Sequence, residues 1–167
     1  YRVVSRALSA GARVHRTSRP VTVDGEQYPA GSFYVVGDSA SAADIEQLGP
    51  ELGLTVRRMS ARPEGELGEV RQPRVGLWDQ YGGSMPSGWT RWLMEQFEIP
   101  FQVVYPQQLD SEDLRANYDV LVFVDGAIPA RDGAVPQPRE EIPEEFRYML
   151  GHVTVTRTVP RLRRFIE

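Results

Sequence analysis

The chain has 167 residues, 41% hydrophobic and 25% charged, near globular averages that exclude a disordered or fibrous class and allow one ordinary domain or two small ones. Its net charge is −4 and all 19 basic residues are Arg, so there is no P-loop lysine, Schiff-base lysine or Ser-Lys dyad. The absence of Cys removes thiol nucleophiles, disulfides and Cys-ligated zinc, and no apolar stretch approaches the roughly 20 residues of a membrane span.

Residues 1–10 place Val3, Val4, Ala7 and Leu8 at helical spacing before Gly11, a helix-terminating glycine. Segments 12–16 and 20–23 are short and β-branched, and Asp24-Gly25 is a hairpin signal that leads into 26–29. Residues 33–36 are an apolar strand. Ser39 or Ser41 can cap a helix running to about Leu52, with Ala43, Ile45, Leu48 and Leu52 on its buried face and Gly49-Pro50 weakening its middle. Residues 54–59 read as a strand. Together 1–60 make a small mixed α/β unit, and 61–73, with Pro63, Gly65 and Gly68 and no periodicity, read as a linker.

A second unit spans 74–167. Residues 74–79 are a strand, 81–86 a glycine-containing loop, and Ser87 the cap of a helix with Trp89, Trp92, Leu93, Gln96 and Phe97 on its apolar face. A strand at 101–105, a short helix at 110–116 capped by Asp110 or Ser111, and a continuous apolar strand at 118–125 follow. Strand, helix, strand, helix, strand is the doubly wound pattern. The predicted fold class is therefore α/β: a small mixed α+β unit followed by a partial doubly wound, flavodoxin-like parallel sheet. Residues 126–143 read as a long surface excursion, 144–150 as one or two helical turns, and Thr158 as the cap of a last helix with Pro160 in its first turn. Because the chain begins at Tyr1 and stops in that helix, it reads as a segment of a longer protein, truncated before the next strand. That predicts strand 118–125 paired on at least one side and helix 158–167 docked without a successor.

The sequence offers little catalytic chemistry. His15 and His152 are the only histidines, and neither forms HxxE or HExxH spacing, so no metal site is predicted. No G-x-S-x-G elbow occurs. The strongest physical case is the loop that leaves the first strand of the second unit and enters a helix amino terminus, where free N–H groups hold anions. Asp79, Gln80, Tyr81, Ser84 and Ser87 could line such a crevice, or Ser87 could simply cap the helix. Trp89 and Trp92 at i, i+3 are read as core residues, and Arg161, Arg163 and Arg164 as a solvated helix face rather than a nucleic-acid footprint. Glu140, Glu141, Glu144 and Glu145 read as a solvated loop.

The run from Pro73 through Trp78-Asp79-Gln80-Tyr81-Gly82-Gly83-Ser84-Met85, with Ser87-Gly88-Trp89-Thr90-Arg91-Trp92-Leu93, resembles a block in the C-terminal region of large bacterial M14-family zinc carboxypeptidases. The block continues through 101–105 and Tyr118-Asp119-Val120-Leu121. The first half, with Pro29-Ala30-Gly31-Ser32-Phe33 and Gly53-Leu54-Thr55-Val56, is similar to the segment preceding it. The region is also similar to the class I glutamine amidotransferase-like fold, whose nucleophile is a Cys that this chain lacks. The resemblance implies a non-catalytic accessory region with no cofactor of its own, zinc being held in an upstream domain. It further implies that upstream peptidase domain as partner and a secreted or periplasmic location; separately, the apolar helix faces of an incomplete sheet leave self-association as a further option, the net acidic charge argues against nucleic acid, and no membrane partner is expected. The alternative is a small-molecule or anion-binding flavodoxin-like module using the 79–87 loop.

Overall fold

The computed structural model describes residues 1–133 and 140–167. The chain is mixed α/β and divides into two units, Tyr1–Gln72 and Pro73–Glu167.

Unit 1 opens with α1 (Arg2–Ser9), which buries Val3, Ser5 and Ala7. Its end is closed by paired bonds, Gly11 N–H to Leu8 O and Ala12 N–H to Ala7 O, both 3.0 Å, the glycine-terminated closure that the sequence predicts. Then come β1 (Arg13–Thr17), β2 (Val21–Val23), β3 (Glu26–Tyr28) and β4 (Phe33–Val36). The β2–β3 turn is Asp24-Gly25 with φ of 51° and 81°, the two left-handed residues of a type I′ hairpin. Next is α2 (Ser39–Glu51), whose cap is Asp38 rather than the expected serines: its Oδ1 accepts the Ser41 N–H at 2.8 Å. Of the face expected to be buried, Leu48 is buried and Ile45 half-buried, whereas Ala43 and Leu52 are exposed. The core gathers Ala7, Ala12 and Val14 with Val4, Leu8, Val35, Ile45 and Val70.

Two readings change in unit 1. The expected strand at 54–59 does not form, and β5 (Leu67–Val70), inside the segment read as a linker, takes the place beside β1. The sheet order is β4-β1-β5, antiparallel throughout, with Val14 opposite both Val35 and Val70. With both edges of β1 occupied, 54–59 lies instead against α2, where Arg58 forks onto Glu46 and Val56 packs over Gly49.

Unit 2 is built on β6 (Val75–Trp78), every residue of which is buried. It runs on through α3 (Met85–Gln96), β7 (Gln102–Val104), α4 (Pro106–Ser111), α5 (Leu114–Asn117) and β8 (Val120–Val122). A 3-10 segment, Glu144–Met149, and α6 (Thr158–Ile166) follow. The sheet is parallel with order β7-β6-β8. Because β7 and β8 flank β6 on opposite sides, right-handed crossovers send α3 to one face and α4–α5 to the other. Trp78, Val104, Leu109, Leu114, Tyr118, Ala127, Val153 and Leu162 form the buried core.

The helix expected at 110–116 is two short helices, the second capped by Asp113, which accepts from Arg115 N and Ala116 N. Strand 118–125 shortens to 120–122 and has β6 as its strand neighbour, and the last helix forms as α6. Thr158 is buried rather than a cap. Its hydroxyl donates to Asp110 Oδ1 at 2.8 Å, while Thr154 Oγ1 accepts the N–H groups of Arg157 and Thr158. Arg161, expected in solvent, donates to the carbonyls of Leu109 and Glu112 and so closes the end of α4. Arg74 clamps Asp119 through its side chain at 2.8 Å and through its own N–H at 2.8 Å. Part of the 126–143 excursion, 134–139, lies outside the described residues.

Candidate functional site

β6 delivers its next residues to the carboxyl edge of the sheet, where doubly wound proteins place ligands. Asp79 is buried at 6% exposure. Its Oδ1 accepts the Gln80 N–H at 2.9 Å and the Ser84 N–H at 2.8 Å. Between them Gly82 and Gly83, with φ of 83° and 80°, carry the chain through a left-handed turn that a side chain would strain. Two of the N–H groups expected to hold an outside anion are thus bonded to the chain's own carboxylate.

Ser87 is not the cap of α3, a position held by Ser84. It lies inside the first turn, fully buried, and donates to the Trp78 carbonyl at 2.7 Å. Gln80 is exposed and donates to Gly83 O at 3.4 Å, while Tyr81 and Ser84 are half-buried. The five predicted residues therefore share one loop, but Asp79 and Ser87 hold the fold together, and Gln80, Tyr81 and Ser84 keep exposed surface.

The apolar face of α3 is turned to solvent. Ser87 is buried and Thr90 and Met94 are half-buried, an i, i+3, i+7 stripe, while Trp89 is 60% and Trp92 49% exposed. Met85, Leu93 and Phe97 are exposed beside them, and the two indoles meet edge to face at 6.0 Å. Periodicity correctly finds an apolar stripe, yet the small residues meet the sheet, as the Ser87 bond to β6 requires. The core reading of Trp89 and Trp92 is corrected accordingly.

Beside Gln80, where β6 and β8 end, lies a cleft of about 110 Å³ whose lining includes Trp78, Gln80, Ala127, Arg131, Asp132 and His152. The two crossovers diverge between these strands, so this is the switch point of the sheet. Asp132 is the carboxylate of the lining. It accepts from Val155 N at 2.6 Å, Thr156 N at 3.1 Å and Thr156 Oγ1 at 2.6 Å. The Thr156 hydroxyl, then the Val155 N–H, hold its carboxyl below the usual range against the opposing effect of burial, with the nearby His152 adding to the lowering. These bonds pin the 131–133 loop to the turn at 155–156. Sequence reasoning missed the cleft because its polar residues come from segments without periodicity; the only available signal was a lone His152 and an Arg-Asp pair in a glycine-rich loop.

Among the described residues, no group of three His, Asp or Glu could hold a metal ion, and no helix is long and apolar enough to cross a membrane. Comparison with known protein families, curated proteins and solved structures finds no match to this chain.

Proposed function

We propose that the chain is a non-catalytic accessory region of an M14-type zinc carboxypeptidase-like protein, working by contact with the peptidase domain of the same polypeptide rather than by turnover. The observation that carries this reading is the exposed aromatic stripe of α3, Met85, Trp89, Trp92, Leu93 and Phe97. A contiguous apolar surface of this kind marks an interaction site. It falls within the block whose residues resemble the C-terminal region of those proteins. The order β7-β6-β8 supports the finer fold reading, a flavodoxin-like half-sheet related to class I amidotransferase-like domains. In this reading zinc belongs to the upstream domain and the parent is secreted or periplasmic.

The test has two arms. The parent reading frame should encode an HxxE motif and a distal His upstream. Co-expressed on a separate polypeptide, that upstream region should co-purify with this chain, and Trp89→Ser with Trp92→Ser should abolish the association. A frame without those motifs, or equal recovery with the double variant, contradicts the proposal.

A further inference from the structure

Trp78 is 5% exposed and its Nε1–H is buried without an acceptor among the described residues. In a native interior nearly every buried donor is bonded, and one that is not calls for a specific explanation. Trp78 is also part of the lining of the cleft between the ends of β6 and β8, together with Arg131 and His152, both exposed. Arg131 forms no ion pair among the described residues, because the adjacent Asp132 is committed to Val155 and Thr156. The cleft thus joins a guanidinium and an imidazole to a wall of Trp78, Ala127, Pro129 and Val153, with the orphaned indole N–H lying beneath that wall.

We propose that this cleft binds a small carboxylic acid, its carboxylate held by Arg131 and His152 and its short apolar part lying against Trp78, Ala127, Pro129 and Val153. A carboxylate presents two coplanar acceptor oxygens that match the guanidinium fork, with lone pairs left for further donors. The volume, about 110 Å³, lies well below the roughly 300–1,000 Å³ of pockets for drug-sized ligands, so nucleotides and flavins are excluded on size. The ligand's charge faces Arg131 and His152 against the single Asp132. This site does not depend on the parent's identity or on the contacts of α3, and its test is separate from theirs.

The experiment uses the whole 167-residue chain, labelled with ¹⁵N, and follows the three indole N–H resonances during titration at constant ionic strength. Propionate is the probe and propionamide its neutral twin. The Trp78 resonance should shift saturably with propionate, with Kd on the order of 1–10 mM, and propionamide should bind at least about ten-fold more weakly. Arg131→Gln should weaken propionate by about ten-fold or more, with the Trp89 and Trp92 resonances unmoved as proof of an intact fold. His152→Gln should weaken it as well, a second variant should the first disturb folding. Absence of a saturable Trp78 shift up to about 50 mM, about five times the upper end of that Kd range, would overturn the proposal. So would equal affinity for the amide, or unaltered affinity in both variants.

Discussion

Gly76 sits in the centre of β6, and a methyl group there has no room. A Cβ built on it would lie 2.8 Å from Leu121 Cδ2, 2.8 Å from Val104 Cγ2 and 3.0 Å from Tyr118 Cδ1, whereas carbon atoms pack comfortably at about 3.5–4.0 Å. Each neighbour must retreat by roughly half an ångström or more, in an interior packed as densely as a crystal. The neighbours come from both flanking strands and from the residue that enters β8, so no single rotamer change relieves all three. Gly76→Ala should therefore cost about 1–3 kcal/mol, the range for an overpacked core. In a unit of this size that lowers Tm by roughly 4–8 °C for each kcal/mol. Gly88, in α3, is the internal control: nothing lies within 4 Å of its built Cβ, and Gly88→Ala should stabilise by about 0.5–1 kcal/mol through helix propensity. Trp78, Trp89 and Trp92 all lie in unit 2, so urea unfolding followed by tryptophan fluorescence reports on that unit alone. Gly76→Ala within about 0.5 kcal/mol of wild type, the spread of neutral surface changes, would refute the packing argument. A destabilising Gly88→Ala would refute the assignment of the open face of α3.

Asp79→Ala should cost about 1–2 kcal/mol by stranding two loop N–H groups, and sulfate should raise the Tm of this variant by more than the general salt effect it has on wild type; equal sulfate effects would show that Asp79 does not fill the anion seat. Ser87→Ala should destabilise by about 1 kcal/mol in the same urea assay, because the Trp78 carbonyl loses its partner; an unchanged midpoint would contradict the buried bond. The Arg74 guanidinium, then its N–H, hold the Asp119 carboxyl down at about 2 from the ordinary 3.8. Since the folded state favours the carboxylate, this contribution is full above the ordinary value and fades as pH falls through about 2. Wild type and Asp119→Asn should accordingly converge in stability in acid titrations of urea midpoints, and a gap that stays constant to the lowest pH would contradict the clamp.

What the sequence makes legible is what local chemistry decides. The Asp24-Gly25 turn, the Gly11 helix end and the buried strand at 75–78 each carry their own signal, and the alternation of strands and helices after Arg74 suffices to predict a parallel sheet. Strand β5 was hidden because Leu67-Gly68-Glu69-Val70 has weak strand propensity and pairs through long-range contact with β1. The segment 54–59, with β-branched Thr55 and Val56, has the better strand propensity and does not take the place. Helix caps fell one to three positions from the residues favoured, since several Ser and Asp compete and only backbone geometry chooses. On α3, periodicity located a stripe but not the side that meets the sheet. The 79–87 loop was readable from its glycines and helix start, whereas the buried carboxylate that closes it, and the cleft that Arg131 and His152 share with Trp78, depend on tertiary placement.

Binding and turnover are separated by one assay. The purified chain, supplied with zinc, is offered N-acylated dipeptides with a free carboxyl terminus and, in parallel, glutamine, with product release followed by chromatography. A rate indistinguishable from zinc in buffer is the predicted result. Saturable hydrolysis of either substrate that is lost on denaturing the chain would contradict a non-catalytic role.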